Sequence, residues 1–366
     1  MTDEEYMRRA IELAHRGEGG VNPNPLVGAV IVKDGEIIGE GAHLRYGSLH
    51  AERNAIKAAK ENGKDLHGAT IYVTLEPCCH HGHQPPCTEA LVEEGISKVI
   101  IGSRDPNPLV HGKGAAFLKE HGVEVVEDFL KDECDELNPV FFHYITTKTP
   151  FVVMKCAESL DGKIATVTGE SQYISDEESR REVMRMRNKY KGIMIGIGTA
   201  LADDPMLTCR LPEGGRNPIR IICDKSLRLP MESRLVRTAA EIPTIVFCSE
   251  NADSEKAQAL SDKGVTILRA PLKNGEPELH CIMKKLGEME IDSILLEGGG
   301  TLNASMLEAG LVNELHLFIA PLILGGRAKT IVEGKGVSHL NDACHFSLKK
   351  MEKSGEDVHL MLILKH

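Results

Sequence analysis

His50-Ala51-Glu52, followed one strand later by Pro77-Cys78-Cys79-His80-His81-Gly82-His83-Gln84-Pro85-Pro86-Cys87, is the stretch from which the rest of the chain can be read. It offers an imidazole, two proline-preceded thiols and a carboxylate. Structural zinc closes with four protein ligands, whereas catalytic zinc keeps three and leaves the fourth position to water. The expected ligands of a single Zn2+ are His50, Cys78 and Cys87, with Glu52 beside them as a proton carrier. An open site next to a Glu points to hydrolytic chemistry. Cys79, His80, His81 and His83 are alternative donors that would instead close a structural site.

The flanks give that spacing a physical purpose. Thr2 and Glu5 form a candidate capping box before the helical face Met7, Ala10, Ile11 and Ala14, which stops at Gly17 to Gly20. Leu26 to Val32 reads as a strand, Asp34-Gly35 as a turn and Glu36 to Glu40 as the return strand. His50 opens a helix to about Asn62-Gly63, and Ala69 to Leu75 is a third strand. Cys87 to Glu94 is a helix stopped by Gly95, and Lys98 to Gly102 a fourth strand. A helix at Ala115 to His121 and a strand at Val123 to Val126 follow. His50 and Cys87 therefore sit at helix starts, and Cys78 just past a strand end. Positive helix ends favour thiolates, the form zinc requires. Zinc brings a bound water to a pKa of about 7, and Glu52 can then move protons without touching the metal. The order HxE, strand, PC is that of zinc nucleobase deaminases, in which the Glu is the acid/base. Eight residues separate Cys78 from Cys87 here.

Composition narrows the ligand class. With 366 residues and 42% hydrophobic content, the chain can bury a core in each of two domains. No run of 18 apolar residues occurs, and the acidic start MTDEEYMRRA lacks the basic-then-apolar plan of a secretory signal. A cytoplasmic protein that does not engage membranes is expected. Ten cysteines, clustered only at Cys78, Cys79 and Cys87, read as metal binding before disulfides. A net charge of −11, no Trp and 4% aromatics fit nucleic acid poorly and favour a small-molecule ligand.

A boundary is expected near Thr146 to Pro150, giving domains 1–147 and 148–366, after a helix read at Glu136 to Thr147. Phe151 to Cys156 then reads as a strand, SLDGKIA as a polar loop returning to a short strand, and Ser175 to Lys189 as a helix. Strand-like runs follow at Gly192 to Ile197, Ile219 to Cys223, Thr244 to Cys248, Thr266 to Arg269, Ser293 to Glu297, His316 to Ile319 and His359 to Leu364. Helical stretches lie at Glu255 to Lys263, Glu278 to Met289 and Leu302 to Ala309. This alternation predicts an α/β domain with a largely parallel sheet. Gly196-Ile197-Gly198 lacks the third Gly of a dinucleotide fingerprint. Glu297-Gly298-Gly299-Gly300-Thr301, between a strand and a helix, reads either as a phosphate loop or as a tight turn needing glycine torsions. Taken alone, Lys155, Asp203 and Arg210 read as solvated charges.

The segments VNPNPLVGAVIV, HAERNAI, YVTLEPCCHHG, CCHHGHQPPC and SRDPNP strongly resemble the deaminase half of the bifunctional riboflavin-biosynthesis deaminase/reductases. KCAESLDGKIA, GIGTALADDPMLTCR, LLEGGGTLN and APLILGG resemble their reductase half, so the likeness spans nearly the whole chain. The resemblance implies a cytidine-deaminase-like α/β/α domain followed by a dihydrofolate-reductase-like α/β domain using NADPH. It implies one Zn2+ per deaminase domain on His50, Cys78 and Cys87, with Glu52 as the shuttle. Asn24, His43, His80, Asp105 and Asn107 would line the deaminase pocket. Ala157, Tyr173, Thr199, Asp203, Ser226 and the run Gly299, Gly300, Thr301, Leu302, Asn303, Ala304 and Ser305 would contact NADPH. Lys155, Ser171, Leu207, Arg210 and Glu297 would serve the phosphoribosyl substrate. Tyr173 stands where the family often has Trp. His83-Gln84 replaces a usual Lys/Arg-Thr near the substrate phosphate, and a His carries only part of a charge at pH 7.

The implied substrate is a phosphoribosylaminopyrimidine. Water attacks an amidine-like ring carbon, ammonia leaves, and the ribosyl group is then reduced to ribityl. The family resemblance also implies a homo-oligomer. Two other readings are a cytidine or deoxycytidylate-type deaminase with a nucleotide-binding C-terminal domain, and a non-catalytic scaffold with structural zinc.

Overall fold

The computed structural model describes residues 1–81, 85–273 and 275–365. The chain divides into two compact units, Met1–Lys148 and Thr149–His366.

The first unit begins with α1 (Asp3–Ala14), whose Thr2 and Glu5 form the reciprocal capping box. There follow β1 (Gly28–Lys33), β2 (Glu36–Ala42), α2 (Ala51–Glu61), β3 (Thr70–Leu75), α3 (Cys87–Glu93), β4 (Lys98–Ser103), α4 (Lys113–Glu120), β5 (Glu124–Val126), α5 (Lys131–Asp135) and α6 (Pro139–Thr147). Its described strands order as β2-β1-β3-β4-β5, with β1 antiparallel to β2 and β3 and the remaining pairs parallel. Side chains alternate across a strand, and both faces here are apolar. Ala29, Ile31, Ile71, Val73, Val99 and Ile101 pack with Ala55 and Ala59 of α2, Leu91 of α3 and Leu118 of α4. Val30, Val32, Tyr72 and Ile100 pack with Met7, Ala10 and Leu13 of α1. Helices thus cover both faces of the sheet.

Two sequence expectations change in this unit. Leu26 lies outside β1 because the Asn138 side chain takes both its backbone groups, accepting from Leu26 N at 2.8 Å and donating to Leu26 O at 2.9 Å. The expected helix from Glu136 starts instead at Pro139, with Asn138 as its N-cap residue and Glu136 closing α5.

The second unit contains β6 (Phe151–Ser159), α7 (Glu177–Lys189), β7 (Gly192–Gly196), α8 (Ile197–Asp203), β8 (Ile219–Cys223), α9 (Arg234–Arg237), β9 (Thr244–Ser249), α10 (Ser254–Ser261), β10 (Val265–Ala270), β11 (Leu272–Lys273), β12 (Glu276–Pro277), α11 (Leu279–Glu288), β13 (Ser293–Leu296), α12 (Gly300–Glu308), β14 (Glu314–Ala320), β15 (Phe346–Ser354) and β16 (Asp357–Leu364). Its main sheet runs β10-β9-β8-β7-β13-β6-β14-β16-β15. Every pair from β10 to β14 is parallel, and β16 is antiparallel to both its neighbours. One face packs Met154, Ile221, Phe247 and Leu296 against Ile282, Leu286 and Met306. The other packs Ile195, Ile222 and Val246 against Ala200, Val236 and Leu260.

β13, though late in sequence, lies between β7 and β6, so the strand order reverses there. Open parallel sheets bind ligands outside the carboxyl ends of their strands at such a reversal. The short strand expected after SLDGKIA is absent among the described residues. Asp161 instead accepts from Ser159 Oγ at 2.6 Å, Leu324 N at 3.1 Å and Gly325 N at 2.7 Å, so this loop closes on the segment after β14.

Candidate functional site

In the first unit, the parallel pairing of β3 with β4 sets the candidate site segments side by side. Leu75 pairs with Ser103, so the segments bearing Cys78 and Asp105 leave the same carboxyl end of two adjacent parallel strands. His50 is the N-cap residue of α2 and Cys87 the first residue of α3. The ligand atoms of His50, Cys78 and Cys87 lie within 4.8 Å of one another, and no other described His, Cys, Asp or Glu joins this group. His50 Nδ1 is 3.5 Å from Cys78 Sγ and 3.4 Å from Cys87 Sγ. Cys87 N–H donates to Cys78 Sγ at 3.4 Å, and both N–H and Oγ1 of Thr88 donate to Cys78 O. Arg53, next to Glu52, donates to Pro86 O at 2.9 Å and Pro85 O at 3.3 Å, tying the segment before Cys87 to α2.

The chemistry of these donors fits a divalent cation. The Cys87 thiol, then His50, pulls Cys78 down to about 4, while the neighbouring Cys78 sulfur and burial push Cys87 well up. One buried and one partly buried sulfur this close together hold one negative charge comfortably, and a cation is needed to hold two. Glu52 is 3% exposed, and burial raises its carboxyl above the ordinary range.

Of the expected pocket residues, His43 packs edge-on against His50 with ring centroids 5.3 Å apart. Asn24 Nδ2 donates to His43 Nε2 at 3.2 Å and His43 Nδ1 donates to Leu49 O at 3.0 Å, consistent with burial lowering its pKa. His80 has a buried Nδ1 with no partner among the described residues. Asp105 is 7% exposed, accepts from Asn107 N at 2.8 Å, and is raised by burial to about 6. Cys79 turns toward Leu109 O and His81 toward Glu89, away from the three-ligand group. His83 and Gln84 lie outside the described residues.

In the second unit, several of the expected residues lie on or just after the strands around the reversal of strand order. Lys155 and Ala157 lie in the carboxyl-terminal half of β6, Thr199 follows β7, Ser226 follows β8, and Glu297 with Gly299–Ser305 follows β13. A dinucleotide can lie across strand ends arranged this way. Gly299 is the N-cap residue of α12, and a Cβ there would meet Thr199 Oγ1 at 3.4 Å. Gly298, Gly299 and Gly300 are not among the residues with positive φ. Close approach explains Gly298 and Gly300 better than turn torsions, since a Cβ would sit 2.9 Å from Asn303 Oδ1 on the first and, on the second, 2.6 Å from Glu333 Cγ and 2.8 Å from Thr330 O. Thr301 Oγ1 donates to Glu333 Oε2 at 3.2 Å, and Asn303 Nδ2 donates to Ile331 O at 2.8 Å while its buried Oδ1 has no partner among the described residues. Tyr173 is 69% exposed, with the Arg180 guanidinium 4.5 Å from its ring centroid. Ser226, Asp203 and Arg210 are exposed, Ser171 is half-buried and Leu207 is buried with φ 53°.

Arg187 of α7 was not singled out by the sequence. Its guanidinium binds the Glu297 carboxylate bidentately and donates to Thr208 O at 3.1 Å. Burial tends to raise Glu297, but the Arg187 charge and hydrogen bonds, helped by Lys155 and Arg210, bring it below the ordinary range. Lys155 Nζ lies 5.7 Å from the Phe318 ring centroid, and burial lowers its pKa against the opposing pull of Glu297.

Comparison with known proteins agrees with this division of chemistry. Residues 1–103 match the cytidine and deoxycytidylate deaminase zinc-binding region, and residues 150–360 match the RibD C-terminal domain. The chain is 53% identical over 359 residues to riboflavin biosynthesis protein RibD of Actinobacillus pleuropneumoniae, covering 98% of this chain and 94% of that one. Against RibD of Escherichia coli it is 40% identical over 375 residues, covering 99% and 100%. A Thermotoga maritima crystal structure described as a diaminohydroxyphosphoribosylaminopyrimidine deaminase/5-amino-6-(5-phosphoribosylamino)uracil reductase superposes with a TM-score of 0.88 at 41% identity, covering 99% and 98%.

Proposed function

Because the chain belongs to the RibD family of riboflavin-biosynthesis proteins, we propose that it carries out two consecutive steps on one phosphoribosylaminopyrimidine. The first unit, taken as the deaminase, hydrolyses 2,5-diamino-6-(5-phosphoribosylamino)pyrimidin-4-one. The second, taken as the reductase, converts the ribosyl of the deaminated product to ribityl. The observation carrying this reading is the three-donor group His50, Cys78 and Cys87 with buried Glu52 beside it.

His50, Cys78 and Cys87 hold Zn2+, which, when bound, makes a water nucleophilic near neutral pH. Glu52 accepts a proton from the attacking water and delivers it to the departing amino group, so that C–N breaks as C–O forms and ammonia leaves. Burial suits the task by bringing the carboxyl closer to the pH at which it works. Asn24 fixes the His43 ring, and His43, His80, Asp105 and Asn107 orient the pyrimidine.

NADPH, when bound, supplies the hydride that turns ribosyl C1′ into the ribityl carbon. Ala157, Tyr173, Thr199, Asp203, Ser226 and Gly299–Ser305 hold the cofactor across the strand ends. Arg210 and Ser171 bind the substrate phosphate, the Arg because its fork meets two oxygens at once. Leu207 packs against the substrate, and Lys155 with Glu297 supplies polar groups for opening the ribose ring. The enzyme is assigned to the cytoplasm as a homo-oligomer; no described helix is long and apolar enough to cross a membrane.

The test is to supply the diaminopyrimidine substrate and follow ammonia, then NADPH oxidation. Both signals in sequence support the reading. Ammonia without NADPH turnover would favour a plain deaminase carrying a nucleotide-binding domain.

A further inference from the structure

Glu76 follows β3, one residue before the Pro77-Cys78 pair, and is 5% exposed. A carboxylate so placed must find hydrogen-bond donors, and its two oxygens find four, all backbone N–H groups. Oε1 accepts from Gly114 N at 3.0 Å and Ala115 N at 3.2 Å. Oε2 accepts from Gly112 N at 3.0 Å and Asp105 N at 3.4 Å. These donors belong to the two ends of one loop. Asp105 opens it just after β4, and Gly112 to Ala115 close it as the first turn of α4.

The helix end explains part of this arrangement. First-turn N–H groups have no partner within their own helix, and Gly112, the N-cap residue of α4, has no side chain to offer them. Glu76 supplies that cap from another strand. The junction is tight: a Cβ on Gly114 would sit 2.2 Å from Pro77 O, so α4 rests its backbone directly on the segment leading to Cys78. Between the two anchors the loop is set by Asp105 and Asn107 themselves. Asn107 N donates to Asp105 Oδ1 at 2.8 Å, Leu109 N to Asn107 Oδ1 at 3.1 Å and His111 Nδ1 to Asp105 O at 3.1 Å.

We propose that Glu76 is a positioning residue of the deaminase, whose carboxylate fixes the Asp105–Asn107 loop to the segment bearing Cys78 and so registers the pyrimidine against the metal. This rests on the assignment of Asp105 and Asn107 to the substrate pocket. Glu76 neither relays a proton to the substrate nor holds a ligand. It sets the distance between the group that binds substrate and the group that binds zinc, and fixing the loop in advance spares the ordering that substrate would otherwise have to impose.

The test uses the full chain with Glu76→Gln. The amide keeps one acceptor oxygen and turns an NH2 toward backbone N–H groups, so two of the four donors lose their acceptor. The expected result is a KM for the diaminopyrimidine raised about tenfold or more with kcat little changed, the pattern of lost uniform binding. Zinc stays at one per chain, and amide hydrogen exchange quickens at Gly112, Gly114 and Ala115. Unchanged KM and unchanged exchange would overturn the proposal, as would loss of zinc, or a fall in kcat alone, from a protein that still reduces the deaminated pyrimidine. Should the Gln variant fail to fold, Gly114→Ala perturbs the same junction with the carboxylate intact and must raise KM in the same way. Wild-type protein releasing no ammonia would sink the deaminase reading instead, a result the exchange measurement does not touch.

Discussion

Arg187 and Glu297 form a bidentate pair in the second unit, Nε to Oε1 at 2.8 Å and Nη2 to Oε2 at 2.7 Å, with side chains only 11% and 15% exposed. The pair joins the last turn of α7 to the first residue beyond β13, where the strand order reverses. Removing one member of a buried ion pair leaves the other charge without compensation.

Arg187→Met is expected to cost about 3–5 kcal/mol in chemical denaturation at pH 7 and to lower reductase turnover. The pH dependence has a definite sign. Glu297 lies below its unfolded value in the folded chain, so its contribution is full above an unfolded pKa of about 4.5 and fades as pH falls through the lowered folded value. With Arg187 gone, burial raises Glu297 without that opposing charge, so the gap between wild type and variant should narrow as pH falls toward about 4.5 and on through the lowered value; a gap constant across that range would disprove the coupling.

Lys155→Met is expected to lower the reductase kcat/KM by about 10²-fold, the scale of removing one preorganised polar group. Stability should move the other way. Burial lowers the Lys155 pKa in the fold, so between the lowered value and about 10.5 the unfolded chain binds the extra proton and stability rises with pH. The variant should be at least as stable as wild type at pH 7, with the difference shrinking toward pH 10.5. Calorimetry across that range would show it.

His316 and His359 form a second buried network, with His316 Nδ1 2.9 Å from His359 Nε2 and His316 Nε2 2.6 Å from Glu314 Oε1. His359 Nδ1 is 3.3 Å from Glu352 Oε1. Burial, then the facing His316, lowers the His359 pKa against the pull of Glu352 and Glu182. A folded value below the unfolded one of about 6.5 means that stability is retained above that pH and lost as pH falls through the window below it. His359→Gln should flatten the slope of stability in the window just below about pH 6.5; an unaltered slope would remove His359 as its source.

Chelation should stop ammonia release yet leave NADPH oxidation by the deaminated pyrimidine at its original rate, and added zinc should restore the first activity. Cys87→Ser should reproduce the chelated state, with metal content well below one per chain. Loss of both activities on chelation would contradict the assignment of zinc to the first step alone.

Much of the first unit was legible because its signals are local. The Thr2–Glu5 box caps α1, and His50 and Cys87 stand at helix starts just as their spacing suggested. Alternation failed as a guide in strands buried on both faces, but their β-branched runs still located them. What stayed hidden depends on partners distant in sequence. Leu26 looked like part of a strand because nothing local shows that Asn138 takes its backbone groups. Arg187 sits in REVMRMRNK, where the neighbouring arginines face solvent, and only tertiary structure separates it from them. Glu76 stood only as one letter of the resemblance segment YVTLEPCCHHG, whereas its carboxylate caps α4. β15 escaped notice since it is largely exposed and its residues, FSLKKMEKS, carry no apolar period.

The central claim is best tested by Glu52→Gln in the full chain, with ammonia release, zinc content and NADPH oxidation measured on one preparation. The predicted result is zinc at one per chain, deamination reduced by about 10²–10⁴-fold, and undiminished reduction of the deaminated pyrimidine. A variant that keeps its zinc and still releases ammonia at the wild-type rate would contradict the account.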